Sequence, residues 1–179
     1  MFVDLQASTT IAEDLGHYQY SSLIQECFND LNRIVRRYDA DIYQYVGDEA
    51  VLSWSFKKGL HNNNCVDLYY HFQHTIKRKS KIYKKKYGLV PKFKAGVHGG
   101  KLIVTEVGTV KKEIAYHGDV INTTARIQGE CNKYNEWFLI SDELLNQLSL
   151  SSKYKTKAIG DLSLKGKEET LNISAISRT

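Results

Sequence analysis

The spacing of apolar positions changes several times along the chain, and each change marks an element. Phe2, Val3 and Leu5 form a short strand-like run that contains Asp4. The loop Gln6-Ala7-Ser8-Thr9-Thr10 follows, and Thr10-Ile11-Ala12-Glu13 has the spacing of a capping box at a helix start. Gly16 breaks that helix. Leu23, Ile24, Cys27, Phe28, Leu31, Ile34 and Val35 then recur at three- and four-residue steps, the stripe of an amphipathic helix. Residues 42–46 and 50–54 are extended runs on either side of Gly47-Asp48-Glu49, the pattern of a β-hairpin.

Helical spacing returns at Cys65, Tyr69, Phe72, Ile76, Tyr83 and Tyr87, which predicts one helix through residues 65–87. Residues 92–98 and 102–107 are strand-like, with Gly99-Gly100 between them, and 108–112 form a turn or flexible arm. Residues 114–116 are extended, Gly118-Asp119 opens another helix, and 136–140 form a strand. Ser141-Asp142-Glu143 starts a short helix, and strands near 154–159 and 170–176 close the chain. Helices and strands alternate, but hairpins interrupt them. That pattern predicts an α+β sheet of ferredoxin-like type with helices on one face.

Composition narrows the class. A chain of 179 residues fits one domain with a real core, and a single proline excludes proline-rich linkers. No apolar run approaches the ~18 residues of a membrane span, and no signal peptide is visible. Cys27, Cys65 and Cys131 are odd in number, widely spaced and on helix-like segments, which favours reduced, buried thiols in the cytosol over a disulfide framework or zinc site. The net charge of +5 comes from one place, because residues 77–86, KRKSKIYKKK, carry seven positive charges and no negative ones. A solvated outer helix face explains such a run; contact with phospholipid or nucleic acid is the alternative, and no nucleic-acid fold signature accompanies it. The chain opens almost directly on a strand, which reads as a domain excised from a longer protein.

Two places carry chemistry. Asp4 ends a strand before a small-residue loop and a helix start, where main-chain N–H groups can receive phosphate oxygens. If the first strand lies beside the hairpin, Asp4 comes near Asp48. Two carboxylates without His or Cys form a hard oxygen site suited to Mg²⁺ or Mn²⁺ bridging to phosphates; a strand-end cap and a turn former are the plain alternatives. In Gly118–Gly129, GDVINTTARIQG, Asn122 and Arg126 are four apart and share a helix face. An amide and a guanidinium there can grip a sugar and a phosphate, or simply be solvated.

Five stretches taken together resemble one family: FVDLQASTT, YQYVGDEAVLSW, FKAGVHGGKLIVTEVG, EIAYHGDVINTTARIQG and LSLKGKEE, in order and across the whole chain. The chain resembles the class III nucleotidyl cyclase catalytic domain, the adenylate and guanylate cyclase homology domain. The resemblance implies a βαβ-type sheet with an inserted hairpin, paired head to tail as a homodimer, in a single catalytic domain over residues 1–179. It implies two Mg²⁺ or Mn²⁺ ions on Asp4, Asp48 and the Leu5 main-chain carbonyl, with Ser8 and Thr9 facing the substrate. Asn122 then orients the ribose and Arg126 stabilises the transferring phosphoryl group. Lys165, or Lys167 in its place, contacts the terminal phosphates of a nucleoside triphosphate. The metal half and the Asn/Arg half of one site come from different subunits, and Glu49 reads as structural or solvent-facing.

Base choice in that family rests largely on two positions, held here by Gln44 and Ala115. Adenylate cyclases usually have Lys and then Asp or Thr there, guanylate cyclases Glu and Cys, so neither pattern is met. The Gln44 amide can donate and accept, and Ala115 offers no side-chain hydrogen bond. ATP is the expected substrate, with GTP or a pyrimidine triphosphate as alternatives. A non-catalytic nucleotide sensor, or an anionic-surface module using residues 77–86, is the reading from another class.

Overall fold

The computed structural model describes residues 1–163 and 170–179. Its strands are β1 (Phe2–Leu5), β2 (Asp41–Val46), β3 (Glu49–Ser53), β4 (Phe93–Val97), β5 (Ile103–Val107), β6 (Glu113–His117), β7 (Phe138–Ser141), β8 (Tyr154–Ser163) and β9 (Thr170–Arg178). Its α-helices are α1 (Ser8–Val35), α2 (Phe56–Leu60), α3 (Asn64–Arg78), α4 (Ser80–Tyr87), α5 (Asp119–Lys133) and α6 (Asp142–Leu145). Seven strands make one sheet in the order β2-β3-β1-β4-β7-β9-β8, and β5 and β6 pair with each other as a separate ribbon. β4 and β7 run parallel through the α5 crossover, while the hairpins β2–β3 and β8–β9 are antiparallel.

Strand alternation divides the sheet into two faces. Val3, Leu5, Ala50, Leu52, Ala95 and Val97 join the large core with Leu23, Cys27 and Leu31 of α1 and Leu68, Phe72 and Ile76 of α3. On the other face Leu139 packs with Ile127 and Cys131 of α5. Helices therefore cover both faces, not one as the sequence pattern suggested. Gly96 explains how α5 reaches the second face: a Cβ there would fall 2.4 Å from the Gln128 main-chain nitrogen, so the helix backbone rides directly on β4. The large core holds fully buried rings such as Phe72 and Phe93, and Phe72→Ala would cost roughly 3–5 kcal/mol in lost burial and cavity.

Two helix boundaries differ from expectation. α1 starts at Ser8, after Ala7 in a left-handed conformation (φ 57°), with no side-chain cap, so the Thr10 capping box does not form the start. Gly16 does break this helix, as a kink at φ 71°. The helix expected through 65–87 is two, broken at Lys79 (φ −88°, ψ 7°). Buried Asp30 of α1 supplies the reason. It takes the Lys79 ammonium and, at 3.0 Å, the Tyr83 hydroxyl, so the residue at the break is tied to α1. All three cysteines are free and buried. Among the described residues no helix is long and apolar enough to cross a membrane.

Candidate active site

β1 lies between β3 and β4, and the register sets Asp4 across from Glu49 on one side and from Lys94 on the other. Gly47 (φ 60°) makes the β2–β3 turn and delivers Asp48 to the same end of the sheet. The two aspartates meet there. Burial, then the neighbouring Asp48 charge, push the Asp4 carboxyl up to about 6 from its usual 3.8, against a weaker opposing hydrogen bond from Gln128. The Gln128 Nε2 donates to Asp4 Oδ2 at 3.3 Å. Glu49 is pushed up to about 7 by burial and by the charges of Asp4 and Asp48. It is half-buried and part of this acidic group, where the sequence reading left it structural or solvent-facing.

Beside Asp48 an open cleft of about 480 Å³ runs along the first turns of α1, lined by Ser8, Thr9, Gly16, His17 and Tyr20. Burial and the Asp48 charge hold the Tyr20 phenol above its usual range. Ser8 and Thr9 line this cleft at a helix start whose first N–H groups have no partner within the helix.

α5 presents different residues to its two sides. Thr123, Thr124, Ile127 and Cys131 are buried against the sheet, Gln128 reaches Asp4, Asn122 is exposed and Arg126 is half-buried. Arg126 precedes Gln128 by two residues, about 200° around the helix. The helix therefore turns Asn122 and Arg126 away from the side that meets Asp4 of the same chain.

Gln44 lies on β2 next to an irregularity. The β2–β3 register shifts between Ile42 and Gln44, so Tyr43 is an extra residue in its strand and stands on the same face as Gln44. The Tyr43 ring stacks on Tyr116 of β6 at 4.0 Å and 10°, and the Tyr116 N–H donates to the Tyr43 hydroxyl at 3.2 Å. This clasp joins the ribbon to the main sheet and brings the segment carrying Ala115 close to the one carrying Gln44.

Residues 1–174 match the model of the Adenylate and Guanylate cyclase catalytic domain. The chain belongs to that family. It is similar to "Adenylate cyclase 2" of Rhizobium meliloti (strain 1021), 32% identical over 177 residues that cover 99% of this chain and 49% of the relative. The chain thus spans about half the length of that curated relative. Its fold is similar to the crystal structure of the adenylyl cyclase CyaB from P. aeruginosa, with a TM-score of 0.83 at 17% identity over 99% of this chain and 92% of that one. It is also similar to the guanylate cyclase domain of RhGC from Catenaria anguillulae in complex with GTP, with a TM-score of 0.77 at 16% identity over 99% and 93%.

In this cyclase domain, Asp4, Asp48, Ser8 and Thr9 gather at one end of the sheet, while Asn122 and Arg126 sit on the outward side of α5. Lys165 and Lys167 lie outside the described residues. Three participants escaped the sequence reading. Lys94 is buried, lies across from Asp4, and gives its ammonium to Asn132 Oδ1 at 2.5 Å; a lysine within the apolar run of 93–97 was the available signal. Glu49 comes opposite Asp4 through the β1–β3 register, a pairing between distant segments that no local signal revealed. The Tyr43–Tyr116 clasp carried no signal beyond two tyrosines adjacent to Gln44 and Ala115.

Proposed function

We propose that this domain is a nucleotidyl cyclase converting a nucleoside triphosphate, ATP foremost, to the 3′,5′-cyclic monophosphate and pyrophosphate. One observation carries the reading: Asp4 and Asp48 are held together at the mouth of a cleft that starts at a helix N-terminus. Burial, and after it the Asp48 charge, raises the Asp4 carboxyl; a divalent cation would offset both, so the oxygen donors fit a hard metal. Among the described residues no three His, Cys, Asp or Glu side chains form a metal-holding group. Asp4 and Asp48, with the Leu5 carbonyl, would hold two Mg²⁺ or Mn²⁺ ions, with substrate oxygens completing the shell. When bound, such ions neutralise the triphosphate and lower the pKa of the ribose 3′-hydroxyl.

The chain's own residues do the positioning. Ser8, Thr9 and the first N–H groups of α1 receive phosphate oxygens. Asn122 orients the ribose so that its 3′-oxygen lies in line with the α-phosphorus. That oxygen bonds to phosphorus, loses its proton to water, and pyrophosphate departs. Arg126 meets the charge that develops on the transferring phosphoryl group. Lys165 contacts the terminal phosphates. Gln44 and Ala115 face the base, and the lack of a side-chain hydrogen bond at Ala115 makes selection loose.

Because α5 turns Asn122 and Arg126 from Asp4 of their own chain, the reading includes a head-to-tail homodimer with two shared sites. The ribbon supports it: Val104 and Ile114, 55% and 53% exposed, share one of its faces and Ile103, 67% exposed, lies on the other, so the ribbon offers apolar side chains that a second copy would cover. We read residues 1–179 as one cytoplasmic catalytic domain of a longer regulated protein, with no specific nucleic-acid partner.

The test is product identification after separate incubation with ATP, GTP, CTP and UTP plus Mn²⁺. Cyclic AMP as the main product is expected. A different cyclic nucleotide would move the base assignment, and no cyclic product from any of the four would remove the cyclase reading.

A further inference from the structure

Residues 77–86 have no part in the chemistry above, and the fold places them far from it in kind. α3 and α4 lie on the face of the sheet that α1 covers, while Asp4 and α5 belong to the other face. Within this segment Lys77, Arg78, Lys81, Lys84 and Lys85 are exposed. The acidic groups beside them are already engaged. Asp30 is buried under Lys79, with Arg33 at 3.5 Å, and Glu26 pairs with Lys86. The outer surface is therefore an uncompensated cationic patch.

Its apolar content distinguishes among anionic partners. Ile82 is 58% exposed at the side of the patch that borders the groove between α1 and α4, one helical turn from Lys85. The aromatic residues of α4, Tyr83 and Tyr87, are both buried, so the helix offers no ring on which a nucleic-acid base could stack. A branched aliphatic side chain beside lysines suits a surface with charged headgroups above hydrocarbon, and roughly four to eight clustered cations are what an anionic leaflet collects. We propose that the outer face of α3 and α4 docks on an anionic phospholipid surface, with Lys81 and Lys85 meeting headgroups, Lys84 at the margin of the contact and Ile82 entering beside Lys85. Docking by this layer leaves α5 and the ribbon free, so a docked domain still pairs and turns over.

The experiment is co-sedimentation of the 179-residue chain with phosphatidylcholine vesicles and with vesicles containing about 30% phosphatidylserine, at low and high salt. Binding to the mixed vesicles only, falling steeply with salt, is expected. Charge reversal at Lys81→Glu, Lys84→Glu and Lys85→Glu together should weaken partitioning at least tenfold, without loss of helical signal or of solution turnover. Ile82→Ser should weaken it about threefold while leaving the salt slope unchanged. No binding to mixed vesicles at low salt, equal binding to both vesicle types, or an unaffected triple variant would overturn the proposal. So would an inert Ile82→Ser together with displacement from vesicles by a duplex oligonucleotide, which would make the patch a nucleic-acid surface.

Discussion

Asp4 stands near the end of central strand β1 and Asp48 in the turn between β2 and β3, whereas Asn122 and Arg126 stand on the side of α5 turned from Asp4. The first pair is built wholly within one chain. β1 is hydrogen-bonded on both sides, the Gly47 turn fixes Asp48, and Gln128 holds an Asp4 oxygen. The backbone holds the two carboxylates together, and burial, then the Asp48 charge, raises the Asp4 carboxyl. In the second pair Asn122 is exposed and Arg126 half-buried. The ribbon leaves Ile103, Val104 and Ile114 in water, which costs the isolated chain apolar burial. The first half is fixed by strand pairing and a tight turn; the second stands on the side of α5 turned from Asp4.

The largest break in this comparison is at the first half. Asp48→Ala should lower turnover by roughly a thousandfold or more, the rate equivalent of several kcal/mol of charge stabilisation, and should weaken Mn²⁺ binding, with the fold retained by circular dichroism. Arg126→Ala should also inactivate. Mixing the two inactive variants should nonetheless restore up to about a quarter of wild-type activity, because half the dimers are mixed and each carries one intact site. Near-normal cyclic product from Asp48→Ala would remove the metal assignment. No rescue in proven mixed dimers would mean that each site is built within one chain.

The next effect concerns the second half. Ile103→Asp with Val104→Asp changes exposed positions, so the monomer should keep its melting temperature within a few degrees. Pairing should weaken, and activity at micromolar protein should drop at least about tenfold, recovering as concentration rises. Sedimentation of the variant as an unchanged dimer would free the ribbon from this role. Within the base region Gln44→Lys should raise the ATP-to-GTP ratio of kcat/KM several-fold. A lysine donates to adenine N1 but cannot accept from the guanine N1–H. An unmoved ratio would mean that position 44 does not face the base.

How far the sequence revealed these halves depended on whether local signals and tertiary contacts agreed. The Gly-Asp turn between extended runs predicted β2–β3, and the β1–β3 pairing then put Asp4 and Asp48 together. The four-residue step from Asn122 to Arg126 predicted their shared helix face. The misses all involve a partner distant in sequence. Unbroken helical period ran through Lys79, but buried Asp30, 49 positions earlier, draws Lys79 and Tyr83 to itself. Thr10 had the better cap, yet the left-handed Ala7 lets α1 begin at Ser8. The helix-free second face was ruled out by Gly96, whose missing side chain admits α5, a fact visible only once β4 and α5 are packed.

The smallest predicted effect tests the strain in the first half without relying on turnover. Asp4 in the folded chain titrates at about 6, above its ordinary 3.8. A raised folded pKa contributes stability that is full below the unfolded value and is lost as pH rises through the folded one. The metal-free wild type should therefore lose stability between about pH 4 and pH 7, and Glu49, also raised, acts in the same direction. Asp4→Asn removes the buried charge and relieves Glu49 and Asp48. At pH 7 without metal it should melt above wild type by a few degrees, about 1 kcal/mol after allowance for partial exposure, and the difference should close as pH falls toward 4. Added Mn²⁺ should reverse the order, since only the wild type keeps both carboxylates to bind it. The measurement is a set of thermal melts at pH 7 and pH 4.5, with and without Mn²⁺. Identical melting of the two proteins at pH 7 without metal would show that Asp4 and Asp48 do not oppose each other in the folded chain, and the contrast between the two halves would lose its electrostatic basis.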